Sequence, residues 1–259
     1  MRLHQLIATS AIFIAVHLGL EAAPPTAPSS SSPSSVVILE LFTSEGCSSC
    51  PPADRLLRQV HLKETGAGQL IVGISEHVTY WNNLGWKDPY SSYSFSDRQS
   101  AYRHHFGLAT VYTPQMVVDG EAQFTGSNPH SAEESITRAS AERKIPVQIS
   151  SLVVQGGTLQ AHVEVGRGSG AIYVAVALNR VQSQVRHGEN DGRRLSHVAV
   201  VQNLTKLGSL DQGKGFAKDI KLKVSQVNPA NLRIIAFVQE TGQGVLGRVL
   251  GSALALPGK

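Results

Sequence analysis

The chain has 259 residues, enough for one large domain or for two domains of ordinary size. Hydrophobic residues make up 41% and charged residues 16%, a composition that excludes global disorder and allows a packed core. The net charge is +4, but the basic residues are scattered and are not interleaved with aromatic residues. We therefore expect no nucleic-acid partner.

The first residues are typical of an export signal. Arg2 gives a short positively charged start, and an apolar stretch of about 15 residues follows over 6–20. This stretch is shorter than the roughly 20 residues that span a bilayer, although an uncleaved membrane anchor is the alternative. We predict a signal peptide over residues 1–23 and a disordered Pro/Ser-rich linker over 24–35. The mature protein is then exported to the bacterial periplasm or the exterior, without a stable membrane span.

Residues 36–145 alternate between strand and helix patterns. Residues 36–42 are apolar and rich in β-branched residues, with Glu40 as the one charge, and this pattern is typical of a buried strand. The further elements predicted in this part are a helix over 51–65, a strand over 70–75, a helix over 95–106, a hairpin over 116–122, and a helix from the 131–134 capping box to residue 143. This alternation predicts parallel βα units completed by an antiparallel hairpin.

The pattern changes after residue 146, where no amphipathic helix intervenes between apolar segments. Seven strands are predicted, over 147–154, 159–165, 172–181, 195–204, 216–224, 232–239 and 244–254. They suggest an all-β domain over 146–259, built as a small antiparallel sandwich. Residues 186–194 are interpreted as a solvated loop, with contact to the first domain as the alternative.

Cys47 and Cys50 are the only cysteines of the chain, and two serines separate them. A bridge between them closes a very short loop and adds little stability, so the spacing favours chemistry over a structural link. A C-x-x-C motif between a strand and a helix is typical of thioredoxin-like redox sites. In such a site Cys47 attacks a substrate disulfide and Cys50 resolves the mixed disulfide.

Two prolines follow the cysteine pair and modify this expectation. Pro51 and Pro52 lack an N–H group and disfavour helical geometry in the residue before them. We therefore expect the helix to begin near these prolines, not at Cys47. The helix dipole then stabilises a Cys47 thiolate less than it would stabilise a cysteine that opens the helix.

The segment ELFTSEGCSSCPPAD at residues 40–54 resembles the opening motif of a bacterial secreted family catalogued as domain of unknown function 1223, in the thioredoxin-like superfamily. Three further segments match the same family: GWKDP at 85–89, YTPQMVVDG at 112–120 and GRRLSHV at 192–198. The resemblance covers nearly the whole mature chain. It implies an α/β thioredoxin-like fold over 36–145, followed by a C-terminal antiparallel β-sandwich-like domain over 146–259.

The resemblance also suggests residues around the cysteines. Thr113 and Pro114 match the position of a cis-proline that faces the cysteine pair and exposes the preceding backbone to an extended substrate. Glu40 is a candidate proton relay to Cys50, as a buried acid is in thioredoxins, and a solvent-facing or loop-capping role is the alternative. His77 is a candidate base or metal ligand, and the alternative is a histidine that is only hydrogen-bonded in its loop.

The leading functional hypothesis is an exported thiol–disulfide oxidoreductase that uses the Cys47–Cys50 pair and no cofactor or metal. Its partners would be protein thiols or disulfides and an unidentified redox partner. One alternative is a Cu(I)-binding module, in which His77 or Met116 assists the two thiolates. Another is a non-enzymatic periplasmic interaction protein in which the cysteine pair rests oxidised.

Overall fold

The computed structural model describes residues 36–210, 213–224, 228–242 and 245–257. The predicted signal peptide and linker lie outside the described residues. All the described residues belong to one compact unit. None of the helices in these residues has the length and hydropathy needed to cross a membrane.

The first part of the described chain alternates between strands and helices, as predicted. Its elements are β1 (Val36–Thr43), α1 (Pro51–Val60), β2 (Leu70–His77), α2 (Tyr93–His105), β3 (Gln115–Val118), β4 (Ala122–Thr125) and α3 (Pro129–Ser140). The helix bounds differ from the predicted ones at two places. Helix α1 ends five residues early, because Leu62 has a positive φ of 63° and donates its N–H to the carbonyl of Ile71 at 2.8 Å. Helix α3 begins earlier than the Ser131 capping box, because the Asn128 side chain caps it by accepting the Ser131 N–H at 3.1 Å.

The second part of the described chain consists almost entirely of strands. They are β5 (Val147–Gln155), β6 (Thr158–Val165), β7 (Gly170–Gln184), β8 (Arg194–Leu210), β9 (Phe216–Lys223), β10 (Leu232–Gly242) and β11 (Val245–Ala255). A short 3-10 helix, Pro229–Asn231, precedes β10. Each of the seven strands overlaps a predicted one, so the local pattern of the sequence identifies them correctly.

The predicted fold class, an α/β thioredoxin-like fold followed by a β-sandwich-like domain, is wrong. Strands make up 48% of the described residues and helices 18%. An eight-stranded mixed sheet with the order β11-β10-β7-β8-β2-β1-β3-β4 runs through both parts of the chain, and β5, β6 and β9 form a second sheet. The division into domains at residue 145 stays a prediction.

The pairing of β8 with β2 explains why the expected fold does not form. The edge of β2 that β1 leaves free is paired with β8 in parallel, with Ser75 opposite Val200. An open strand edge carries unpaired N–H and C=O groups, and a strand from any distance along the chain can satisfy them. Periodicity in a sequence reveals strands but not which edges meet, so the joined sheet could not be predicted.

Opposite faces of the eight-stranded sheet are covered by different helices. Because side chains alternate along a strand, Leu41 of β1 packs with Leu57 of α1 and Ile136 of α3 on one face. Ile38 of the same strand packs with Phe95 of α2 on the other face. The cysteines immediately precede α1, which covers the first face. Only residues of β1 that point toward this face can therefore reach the cysteines.

The second sheet closes the core at the other end of the eight-stranded sheet. Ile149 of β5 and Val163 of β6 pack with Val174 and Val176 of β7 and with Ile234 of β10 in one buried cluster. These strands therefore support β7 and β8, and the loop between β7 and β8 is the one that approaches the cysteines.

Glu40 lies on the face of β1 that is opposite to α1, the helix that Cys50 caps, so its role as a relay to Cys50 stays a prediction that its contacts do not support. Arg98 of α2 binds its carboxylate through two hydrogen bonds, Nε to Oε2 at 2.6 Å and Nη2 to Oε1 at 2.9 Å. Tyr102 donates its hydroxyl to the same carboxylate. Glu76 lies beside this pair, with its Oε1 3.5 Å from Arg98 Nε. Burial, opposed by Arg98 and assisted by Glu40, raises the pKa of Glu76 to about 8.

We predict that Arg98→Met lowers the free energy of unfolding by about 3–5 kcal/mol, because it leaves the buried Glu40 carboxylate without its cation. The matched control is Arg248→Met, since Arg248 also contacts two carboxylates but is 49% exposed. Loss of an exposed pair of this kind costs at most about 1 kcal/mol. Urea unfolding followed by circular dichroism measures both values, and equal losses for the two variants would contradict the prediction.

Candidate redox site

Cys47 and Cys50 form a disulfide, with their Cα atoms 5.4 Å apart. Cys50 is the N-cap of α1, and the two prolines after it occupy the first helical positions, so the predicted start of the helix is confirmed. The first N–H groups of the helix belong to Ala53 and Asp54, and both donate to the carbonyl of Cys50 at 2.9 and 3.1 Å. Because these amides are satisfied within the helix, they are not free to stabilise a thiolate.

A cap loop, residues 185–193 between β7 and β8, covers the cysteines. Both cysteines are fully buried, although the two serines between them are exposed. The side-chain amide of Asn190 donates to the carbonyls of Glu45 and Cys47, both at 2.9 Å. Glu189 accepts the backbone N–H of Ser48 at 3.0 Å. Most residues of the cap loop are exposed, but it also contacts the cysteine loop, which agrees with the alternative interpretation of residues 186–194. Because both cysteines are fully buried, part of this cover has to move before a substrate reaches the sulfurs.

Thr113 and Pro114 lie beside the cysteine loop, and the peptide bond between them is cis. The indole Nε1 of Trp81 donates to the Thr113 hydroxyl at 2.7 Å. The same tryptophan packs on Gly46, where an added Cβ would lie only 3.1 Å from its own Cβ. Trp81 therefore holds the residue before Cys47 and the Thr113–Pro114 segment together.

A buried histidine, His197 of β8, lies between two carboxylates under the cysteine loop. Its Nε2 lies 3.4 Å from Glu45 Oε1, and its Nδ1 lies 3.3 Å from Asp54 Oδ1. Burial alone would favour the neutral imidazole, but the charges of Asp54 and Glu45 outweigh it and raise the pKa of His197 to about 10. The site therefore contains a buried imidazolium at neutral pH.

His77 joins this cluster from the end of β2. Its Nδ1 lies 2.7 Å from Asp88 Oδ2, and its ring contacts the His197 ring edge-on with 4.8 Å between the centroids. The same Asp88 oxygen accepts the backbone N–H of Glu45 at 2.8 Å. Burial would raise the pKa of Asp88, but His77 and the backbone N–H groups of Glu45 and Tyr90 lower it. Asp88 therefore orients His77 and anchors the start of the cysteine loop.

The structure brings most of the predicted site residues to one place. Cys47, Cys50 and the Thr113–Pro114 segment lie together, and His77 is linked to the cysteine loop through Asp88. Glu40 lies on the opposite face of the sheet, and Met116 is buried in the apolar cluster beneath α1. Among the described residues, no group of three or more His, Cys, Asp or Glu side chains is arranged to hold a metal ion.

Six residues of the site were not predicted from the sequence: Glu45, Asp54, Asp88, Glu189, Asn190 and His197. Asp54 follows Cys50 by four residues, and this helical spacing places it on the face of α1 above the cysteine. His197 lies in segment 192–198, which resembles the family, and this could have marked it as a site residue. No sequence pattern near His197 connects it to the cysteines, however. Asn190 lies 143 residues after Cys47 in the sequence. Only the pairing of β8 with β2 brings it there.

The family model described as "Protein of unknown function (DUF1223)" matches residues 38–239. The chain belongs to the DUF1223 family. The resemblance found in the cysteine segment is therefore confirmed, and the matched residues include every side chain of the site described above. No curated protein matches the chain.

Two solved structures are similar to this DUF1223 protein. The crystal structure of an Agrobacterium tumefaciens protein, a structural genomics target, is 27% identical with a TM-score of 0.66, and the match covers 87% of this chain and 96% of that one. HBP35 of Porphyromonas gingivalis is 14% identical with a TM-score of 0.65, and the match covers 87% of this chain and 76% of that one. The second likeness supports the fold alone.

We predict that Asn190→Ala accelerates reduction of the disulfide of this DUF1223 protein. The change removes two hydrogen bonds that hold the cap loop on the cysteine loop, each contributing about 1 kcal/mol, so the open form becomes about tenfold or more populated. The measurement is the rate of reduction by a water-soluble phosphine, followed by thiol titration. Asn203→Ala, at an exposed position of β8, is the control and should react like the wild type. A rate for Asn190→Ala equal to that of the control would contradict the role of the cap loop.

We predict that the stability of the oxidised protein falls as the pH rises from about 6.5 to about 10, and that His197→Gln removes this part of the dependence. The pKa of His197 is raised on folding, so its stabilising effect is complete below the unfolded value and is lost as the pH passes the folded value. Urea unfolding across this range should show an extra loss in the wild type of up to about 1.4 kcal/mol per pH unit.

The control for this experiment is His130→Gln, whose side chain is 80% exposed and contacts only Glu134. This variant should keep the pH dependence of the wild type. Parallel stability curves for the wild type and His197→Gln would show that the buried imidazole does not carry the charge that we assign to it.

Proposed function

We propose that this protein is an exported thiol–disulfide oxidoreductase that uses Cys47 and Cys50 as its redox pair. The observation that carries the proposal is the Cys47–Cys50 disulfide at the N-cap of α1, next to the Thr113–Pro114 segment and a buried acid–base cluster. A bridge across two residues contributes little to stability, and the polar groups buried beside it cost free energy to bury. This combination favours chemistry at the cysteine pair.

The reaction exchanges two electrons between the pair and a substrate dithiol. A substrate thiolate attacks Sγ of Cys47, the bond between the two cysteines breaks, and Cys50 leaves as a thiolate that takes up a proton. The second substrate thiolate then attacks the substrate sulfur of the mixed disulfide and displaces Cys47. The substrate leaves as a disulfide, and the pair remains as two thiols. The reverse sequence reduces a substrate disulfide, and a second redox partner resets the pair in either case.

Asp54 and His197 supply a route for the proton of Cys50. Asp54 lies one helical turn after Cys50, its carboxylate lies 3.3 Å from His197 Nδ1, and the Thr43 hydroxyl donates to it at 3.5 Å. The imidazolium can therefore release a proton toward the leaving thiolate and recover it later. In this proposal Asp54 takes the place that the sequence suggested for Glu40.

The Thr113–Pro114 segment is proposed to dock the substrate. Its backbone lies beside the cysteine loop and is fixed by Trp81, so an extended substrate chain can pair with it when the cap loop moves. The substrates are proposed to be proteins with thiols or disulfides. The signal-like residues 1–23 support export to the periplasm or the exterior, where disulfides persist.

A second candidate function is favoured by the burial of both sulfur atoms. A pair that is fully covered by the cap loop also suits an interaction protein whose disulfide stays oxidised. In that case the cap loop has no need to open, and the buried charges serve only to fix the cysteine loop. The two functions differ in whether the reduced protein exchanges disulfides.

We predict that the reduced protein exchanges disulfides with a model disulfide peptide, and that Cys47→Ser lowers the rate by at least about a hundredfold because it removes the attacking thiolate. Cys50→Ser should still react but should accumulate a mixed disulfide through Cys47, which mass spectrometry detects. Ser48→Ala, at the exposed position between the cysteines, is the control and should exchange normally. If neither the reduced wild type nor reduced Asn190→Ala exchanges, the interaction function replaces the redox function.

A further inference from the structure

We propose that the substrates of the cysteine pair carry a carboxylate group next to the reacting sulfur, and that this group binds in a basic cleft beside Cys50. The inference rests on the redox function proposed above and adds the chemical class of the substrate. The basic cleft has a volume of about 180 Å³ and lies between the first two turns of α1 and the beginning of β8. Its principal lining residues are Pro51, Asp54, Arg55, Arg58, Arg194 and His197.

Three arginines give the cleft its charge. Arg55 and Arg58 come from α1, and Arg194 comes from β8 on the other side of the cleft. Within the part of the chain that the structure describes, none of the three guanidinium groups forms an ion pair with a carboxylate. Arg58 instead donates Nη1 to the carbonyl of Ser196 at 2.9 Å, across the cleft, so its position is fixed without neutralising its charge.

His197 provides a second and independent sign of a ligand. Its side chain is 1% exposed, it lines the cleft, and neither ring nitrogen makes a hydrogen bond of good geometry within the described residues. The nearby carboxylate oxygens lie at 3.3 and 3.4 Å, too poorly aligned to satisfy the ring. The ring already faces two carboxylates, so an anion in the cleft would add a well-directed hydrogen bond to it and would not be its first charged partner.

The arginine side chains that line the cleft indicate which anion it binds. Guanidinium groups match the two oxygens of a carboxylate through paired hydrogen bonds, and they stay charged at every working pH. A volume of about 180 Å³ admits a side chain or chain terminus that ends in a carboxylate, but it is smaller than the roughly 300 Å³ of ordinary small-molecule sites. The N-terminus of α1 does not compete for this role, because its first two residues are prolines.

The position of the cleft links it to the cysteine pair. Pro51 lines the cleft and follows Cys50 directly, so an anchored carboxylate lies within a few residues of a sulfur that reacts with the pair. Binding energy from a remote group of this kind can position the reacting atoms and so accelerate exchange. We therefore assign the cleft to acidic residues that neighbour the substrate cysteine.

The test compares two disulfide peptides that differ only in having two Glu or two Gln residues beside the cysteine. With the reduced wild type, kcat/KM should be about tenfold or more higher for the Glu peptide, the effect of a charge-assisted hydrogen bond. The triple variant Arg55→Gln, Arg58→Gln, Arg194→Gln should lose this preference, so that its kcat/KM is about equal for the two peptides. The matched control is a second triple variant, Arg138→Gln, Arg143→Gln, Arg167→Gln. It changes the net charge by the same amount at exposed positions outside the cleft, and it should keep the preference for the Glu peptide.

The outcomes separate this inference from the redox proposal. Exchange at equal rates with both peptides, or a preference that survives in the cleft variant, overturns the inference and leaves the redox function standing. Absence of exchange with both peptides, in the reduced wild type and in reduced Asn190→Ala, removes the redox function. The cleft is then tested by calorimetry on the oxidised protein, with a Glu peptide that has Ser in place of Cys. Binding to the wild type that the cleft variant loses supports carboxylate binding in the cleft. Absence of binding to the wild type overturns it.

Discussion

The pairing of β8 with β2 is the constraint on which the candidate site depends. Ser75 lies opposite Val200, and from this junction β8 brings His197 against His77, while the loop before β8 lies over the cysteines. The cysteine segment alone therefore supplies the sulfurs but neither their cover nor the buried imidazole. The site is therefore complete only when strands from both parts of the chain are joined in one sheet.

Buried charge is treated differently on the two faces of β1. On the face toward α2, Glu40 is held by the guanidinium of Arg98, a group that does not release its proton, so this pair can fix the packing but cannot transfer protons. On the face toward α1, the carboxylates of Glu45 and Asp54 surround an imidazole, which does exchange protons. The arginine–carboxylate pair and the imidazole–carboxylate cluster thus lie on opposite sides of β1, and the second one includes Glu45, two residues before Cys47.

Much of the local structure could be predicted from the sequence. The C-x-x-C spacing identified Cys47 and Cys50, the missing N–H groups of the prolines fixed the start of α1, and apolar runs located all seven strands of the second part. The sheet order could not be predicted, because hydrophobic periodicity does not encode which edges pair. The surroundings of Glu40 could not be predicted for a related reason: an offset of seven residues from Cys47 does not determine on which side of the strand a side chain lies. The contributions of Asn190 and His197 come from long-range pairing and have no local signal that identifies them.

The two tryptophans of the chain both contact the segment that leads into Cys47. Trp81 donates its indole N–H to Thr113 and packs on Gly46, whereas Trp86 donates to the Glu45 carboxylate at 2.8 Å. Indole fluorescence is quenched by a nearby disulfide and responds to the polarity around the ring. With no further tryptophan to contribute background, we expect the emission spectrum of the protein to follow changes at its cysteine loop, without any attached dye.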